Sequence, residues 1–173
     1  MACALTQGYN LDCRTGSGGL KTVRVIEFDS VSAITEAVGV ISGITKVTGK
    51  KFYNYKLVLE TGDAEETLTA NRDNGTTMVK QTVKFPINKM SVSVRNELLL
   101  LAQNRLIIVV EDENGYPLIY GKEKGLMITT ISAKTGVKLA DRNGYELVFE
   151  GDEKTLASTL DAPTVLTLET PGA

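Results

Sequence analysis

Asn-Gly occurs three times in this chain, at Asn74-Gly75, Asn114-Gly115 and Asn143-Gly144, and β-branched or aromatic residues recur at alternate positions around each pair. Asn-Gly supplies the positive backbone φ values of a tight hairpin, and a period of two is the period of a strand with one buried face. A chain punctuated in this way is constrained to antiparallel sheets. Two of the pairs belong to a longer repeat. DENGYPLIYG (Asp112 to Gly121) returns as DRNGYELVFEG (Asp141 to Gly151), both reading Asp-x-Asn-Gly-Tyr-x-Leu. The repeat is either an ion-binding loop or one hairpin built twice.

The ion-binding reading fails on ligand positions. An EF-hand-type loop needs oxygen ligands at positions 1, 3 and 5, glycine at 6 and a bidentate glutamate at 12. With Asp141, Asn143 and Gly144 at 3, 5 and 6, Glu150 falls at 12 but Leu139 at 1. With Asp112, Asn114 and Gly115 so placed, Val110 stands at 1 and Gly121 at 12. Each copy lacks an essential oxygen, and apolar strands stand where helices should. Asn114-Gly115 and Asn143-Gly144 therefore read as hairpin turns.

The rest of the chain agrees with a sheet protein. KTVRVIEF (Lys21 to Phe28) is a strand, and SVSAITEAVGVISGITKV is open between strand and helical turn, since Gly39 and Gly43 weaken either. In KFYNYKLVLETG, residues Tyr53, Tyr55, Leu57 and Leu59 share one face. EETLTANRDNGTTMVKQTVKFPI reads as a long hairpin with a type I′ turn at Asn74-Gly75; Val79, Gln81, Val83, Phe85 and Ile87 fall on one side of its second arm. One helix stands out, roughly Ser91 to Gln103, with a serine cap and Met90, Val94, Leu98 and Leu101 at helical spacing. RLIIVV, GLMITTISAKTG and GYELVFEG are further strands, DEKTLASTLD is open between short helix and loop, and PTVLTLET reads as a final strand. The expectation is a mainly β fold: a β-sandwich or barrel of about nine or ten strands with one flanking α-helix, a long hairpin loop and extended terminal arms. Residues 1–20 would be an N-terminal arm, 21–169 a single β-sandwich domain and 170–173 a C-terminal tail.

Composition narrows the function. With no histidine, the commonest general base and zinc ligand are missing. Cys3 and Cys13 are the only thiols, and in a cytosolic chain such a pair is expected reduced. A net charge of −2 without a basic run offers nothing to neutralise nucleic-acid phosphates. No apolar stretch suits a membrane span, and the first residues lack the pattern of a secretory signal, so synthesis in a cytoplasm is expected. Acids cluster at Glu60/Asp63/Glu65/Glu66, Glu111/Asp112/Glu113 and Glu150/Asp152/Glu153, but at strand ends and turns, where solvated carboxylates are common. Aromatics at 6% offer little sugar platform, and no nucleophile elbow, P-loop or dinucleotide fingerprint is present. The reading is not an enzyme, with no cofactor and no metal. It is a protein that works by contact, through its terminal arms and the long hairpin. Leu11, Arg14, Arg72, Asp73, Asn74 and Thr76 are the candidate subunit contacts.

The blocks MACALTQGYNLDCRTGSGGLKTV, NGTTMVKQTVKF, NRLIIVVEDENGY and TGVKLADRNGYELVFEG resemble small structural proteins of tailed phages and prophages of the Bacteroides group. The element order is similar to that of phage tail-tube proteins. The resemblance implies a homo-oligomer, hexameric rings stacking into a tube that joins other virion proteins, with assembly in the host bacterial cytoplasm. DNA would pass through without specific binding. It also implies that Glu111, Asp112, Glu113, Asp152 and Glu153 line the lumen, where carboxylates repel phosphates. A capsid decoration or head–tail joining protein, or a non-viral binding module, are the alternatives.

Overall fold

The computed structural model describes residues 8–9 and 16–172. Among these the elements run β1 (Leu20–Glu27), β2 (Val31–Ala37), β3 (Val40–Lys46), β4 (Tyr53–Lys56), β5 (Asp63–Asn71), β6 (Thr76–Asn88), α1 (Val92–Gln103), β7 (Leu106–Asp112), β8 (Pro117–Tyr120), β9 (Met127–Lys134), β10 (Gly144–Glu153), β11 (Ser158–Leu160) and α2 (Ala162–Thr167). The strands form a seven-stranded sheet ordered β2-β3-β11-β8-β7-β1-β4 and a four-stranded sheet ordered β5-β6-β10-β9. The fold is mainly β, a sandwich with one main flanking helix, as the sequence led one to expect.

β7 shows why the two sheets stack. Leu106, Ile108 and Val110 point between the sheets, against Val23 and Val25 of β1, Val83 and Phe85 of β6, and Leu147 and Phe149 of β10. The Phe85 and Phe149 rings stack with centroids 5.4 Å apart. Ile107 and Val109 point the opposite way, into a second cluster with Ile26, Ile41, Phe52, Ile119, Leu160 and Leu168. A strand covered on both faces needs apolar residues at every position, which is what LIIVV provides. α1 begins where Ser91 Oγ accepts the Val94 N–H at 3.3 Å. It buries Leu98 and Leu101, with Met90 and Val94 packed partly against the first cluster.

Several expectations are corrected. PTVLTLET is not a strand: Asp161 Oδ1 accepts the Thr164 N–H at 2.9 Å, Pro163 lies in the first turn, and the segment starts as α2. The C-terminal tail is not a free arm. Lys46 Nζ donates to the carbonyls of Thr167 (2.6 Å), Leu168 (3.2 Å) and Thr170 (2.7 Å), and the Gly172 N–H donates to Lys50 O at 2.9 Å. Glu169 accepts from Arg24 Nε at 3.0 Å and Asn54 Nδ2 at 2.8 Å, so the last described residues are strapped over their own sheet. β4 stops at Lys56, leaving Leu59 exposed rather than in line with Tyr53 and Tyr55.

The turns differ too. A two-residue connection with positive φ at both positions occurs at Val38 (51°) and Gly39 (77°), between β2 and β3, not at an Asn-Gly pair. Around Asn74 the connection has four residues, 72–75 between the paired Asn71 and Thr76, and Gly75 alone of its pair has positive φ, at 66°. At Asn114-Gly115 the Gly115 N–H donates to Asp112 O at 3.1 Å, and again only the glycine is left-handed. Asn143-Gly144 is no turn. Gly144 is already paired with Lys134 and with Asn88, and residues 135–143 make the connection. Glycine is required there by proximity, since a Cβ at 144 would collide with Ile87 O.

Candidate functional site

The β5–β6 hairpin outruns the sheet that carries it. β10 pairs with β6 from Asn88 only as far as Val79, while β5 and β6 continue through Thr69↔Met78, Ala70↔Thr77 and Asn71↔Thr76. Beyond Val79 the arm has solvent on both faces, with Leu68 and Met78 exposed on opposite sides. Its tip is nonetheless ordered by its own side chains. Asn74 Oδ1 accepts the Thr76 N–H at 3.1 Å and the Thr76 hydroxyl at 2.6 Å, and Asn71 Oδ1 accepts the Asp73 N–H at 2.9 Å. Arg72, Asp73, Asn74 and Thr76 are thus brought together on one protruding tip. Leu11 and Arg14, together with Cys3 and Cys13, lie outside the described residues.

The acids expected on a channel wall separate into different roles. Glu153 is only 2% exposed and holds the 121–125 turn: its carboxylate accepts the N–H groups of Lys124 (2.9 Å) and Glu123 (3.2 Å). Burial pushes its carboxyl above the usual range, against those N–H bonds. Glu153 is therefore corrected from lumen acid to internal brace. Glu111 is drawn to cations, at 3.2 Å from Arg24 and 3.6 Å from Lys21. Asp112 folds back into its turn, taking the N–H groups of Asn114 (3.0 Å) and Tyr116 (2.6 Å). Partial burial raises its carboxyl, but bonds from the Asn114 amide and from those N–H groups outweigh this and hold it below the usual range. Glu113 is half-buried, with Oε1 out of reach of any partner. Asp152 alone of the five is exposed on a sheet face.

That face is the outer side of the four-stranded sheet, and strand register fills it in. Cross-strand rows place Asp63, Lys84 and Val148 together, then Glu65, Thr82 and Glu150, then Thr67, Lys80 and Asp152, with Glu146 and Lys134 further along. The carboxylates Asp63, Glu65, Glu146, Glu150 and Asp152 face Lys80, Lys84 and Lys134, with Arg142 at the margin 3.1 Å from Glu146. Lys80 meets Glu150 at 3.1 Å and Lys134 meets Glu146 at 2.9 Å. The face is broad and polar, with one carboxylate in excess of its cations. Of these acids the sequence reading put only Asp152 on the channel wall: it took Asp63, Glu65 and Glu150 for solvated acids at strand ends and turns and did not single out Glu146, because it grouped acids by proximity along the chain. The parity of the alternation, inward Phe85 and Phe149 against outward Lys84 and Glu150, was the available signal.

Inside the sandwich, Gln81 (1% exposed) accepts the Gly121 N–H at 2.9 Å and donates to Glu66 Oε1 at 2.9 Å. Glu66 also takes the Ala157 N–H at 2.6 Å. This network joins the sheets. A second cluster has the residue types of a serine–lysine pair: Lys122 Nζ lies 2.6 Å from Ser158 Oγ. Glu36, however, binds both, at 2.8 Å from Lys122 and 2.7 Å from Ser158, and these bonds hold its carboxyl low. Lys122 donates to both the hydroxyl and the carboxylate, so the three groups form a closed ion-pair and hydrogen-bond cluster that ties β2 to β11. Among the described residues no helix is long and apolar enough to cross a membrane.

The class defined by this geometry is a β-sandwich whose buried polar groups brace strands and turns, and whose free features are a protruding hairpin, open sheet edges and one acidic face. The chain matches no protein-family model, no curated protein and no solved structure.

Proposed function

We propose that the chain is a structural virion protein that assembles with copies of itself into rings, stacked as a tail tube through which DNA passes. The observation that carries this reading is the β5–β6 arm. A hairpin extending beyond its own sheet offers unpaired N–H and C=O groups and two exposed apolar side chains, Leu68 and Met78, to another subunit. β9, β2 and β4 are further edges on which such an arm can add. The sequence resemblance to tail-tube proteins supplies the ring, with hexameric symmetry, and the location in the virion tail.

In this arrangement the outer face of the four-stranded sheet lines the channel. Its balance of carboxylates repels phosphates, so DNA slides without being held. The test is the mass of the purified protein by light scattering, compared with Leu68→Glu/Met78→Glu. The wild type should form particles of many subunits that the variant, folded but blunted at the arm, fails to build. Equal masses for the two proteins would remove the arm from the contact.

A further inference from the structure

Residues 135–143, between β9 and β10, form a framed loop instead of a tight turn. Asp141 Oδ2 accepts the N–H groups of Lys138 at 2.8 Å and Val137 at 2.9 Å, and the Asp141 N–H returns to Lys138 O at 3.0 Å. The Lys89 N–H donates to Asn143 O at 2.7 Å, fixing the end of the loop beside the start of α1. On this frame Val137 and Leu139 stand 97% and 109% exposed. Two aliphatic side chains held fully in water on braced backbone make a knob.

A complementary hollow lies elsewhere on the same molecule. Between the C-terminal half of α1 and the β1–β4 edge runs a groove of ≈ 190 Å³, lined by Tyr53, Tyr55, Leu100 and Leu101, with Glu27 and Glu97 among its polar residues. Glu27 is engaged by Lys50 at 3.2 Å and by the Ser30 hydroxyl at 2.8 Å. Glu97 has no ion-pair partner among the described residues. Burial, with the Glu97 charge nearby, pushes the Tyr55 hydroxyl up to about 12, which places that carboxylate at the groove. On the knob, Arg142 is bound to Glu146 at 3.1 Å, whereas the Lys138 ammonium has no carboxylate partner among the described residues. Among the described residues, Lys138 on the knob and Glu97 in the groove thus lack an ion-pair partner and are opposite in sign, while Lys51, 5.8 Å over the Tyr53 ring, flanks the β4 side of the groove and Asp141 is engaged by backbone N–H groups.

The knob is set apart from the groove of its own chain. Its loop is pinned at Lys89, ahead of α1, whereas Leu100 in the groove lies about 12 Å along the helix from Val92 at 1.5 Å per residue. A contact between different patches on successive copies is heterologous, the kind that closes into rings or runs on as filaments. We propose that the Val137–Leu139 knob of one copy seats in the α1–β4 groove of the next, with Lys138 set against Glu97. This rests on the self-assembly reading and names the contact within it.

The test uses the full chain and three sets of variants, each checked for an unchanged thermal melt. Val137→Asp/Leu139→Asp removes the knob and Leu100→Arg blocks the groove. Each alone should raise the concentration needed for assembly by about tenfold or more. Mixed together, they retain one intact knob and one intact groove, and should form a one-to-one pair that does not extend. Lys138→Glu and Glu97→Lys should each weaken assembly, and the double swap should restore it. If the wild type assembles and the knob variant assembles at the same concentration, this contact is wrong while the self-assembly reading stands. If the wild type stays monomeric at every concentration, both fall.

Discussion

The side-chain oxygen of Gln81, in β6, accepts the N–H of Gly121 at the end of β8, 2.9 Å away, so one buried amide ties the four-stranded sheet to the seven-stranded one. Gln81 to Leu keeps the volume and removes the acceptor. The Gly121 N–H and the Glu66 carboxylate are then left without it, at a cost of about 1–3 kcal/mol. Urea denaturation should show that loss in the midpoint, and an unchanged midpoint would refute the bridge.

The strap at the C-terminus depends on Lys46. Its ammonium bonds three carbonyls at the end of α2, where the helix dipole also favours a cation. Lys46→Met should cost about 2 kcal/mol. Hydrogen exchange should quicken first in residues 161–172, ahead of the amides of β6 and β10. Uniform quickening would mean that the tail is not a separable strap.

Val38 is a β-branched residue with φ 51° in a two-residue turn, fully exposed, and nothing in its surroundings offsets the strain. Asparagine tolerates that backbone far better. Val38→Asn should raise stability by about 1 kcal/mol in the same denaturation assay. A loss of stability would contradict the left-handed turn.

Two carboxylates give opposite pH dependences. Glu153 has its carboxyl raised above its usual 4.5 by burial, so the folded state keeps its proton longer than the unfolded one. Its contribution is complete below that value and declines as pH rises through the folded-state value. The stability of the wild type relative to Glu153→Gln should therefore fall on going from about pH 4 to about pH 7. Asp112 is held below its usual 3.8, so its contribution is present above that value and is lost as pH falls through the folded-state one. The cost of Asp112→Ala should accordingly shrink in acid. Parallel profiles for the two variants would contradict these assignments.

Much of the fold was legible because the sequence alternates cleanly where one face is buried. Val79 to Ile87 and Tyr145 to Phe149 point inward as read, and the helix begins at its serine cap. The misreadings have physical causes. Thr and Val in PTVLTLET mimic a strand, and the Asp161 cap with Pro163 behind it, the true signal, is only a few residues long. β11 has three residues and exists because a gap between β3 and β8 can be filled, which no local pattern announces. Gly144 looked like a turn residue, whereas it is glycine because Ile87 O approaches it across the sheet. At the candidate site, the arm was legible from its length and polar tip. The acidic face was not, because its members come from separate strands and meet only through register.

Electron microscopy of the purified protein across a range of salt and concentration tests the proposed self-assembly into a channelled particle. Rings or hollow tubes with a central channel are expected, the outer face of the four-stranded sheet turned inward. Single subunits under every condition, or a channel lined by basic residues, would contradict it.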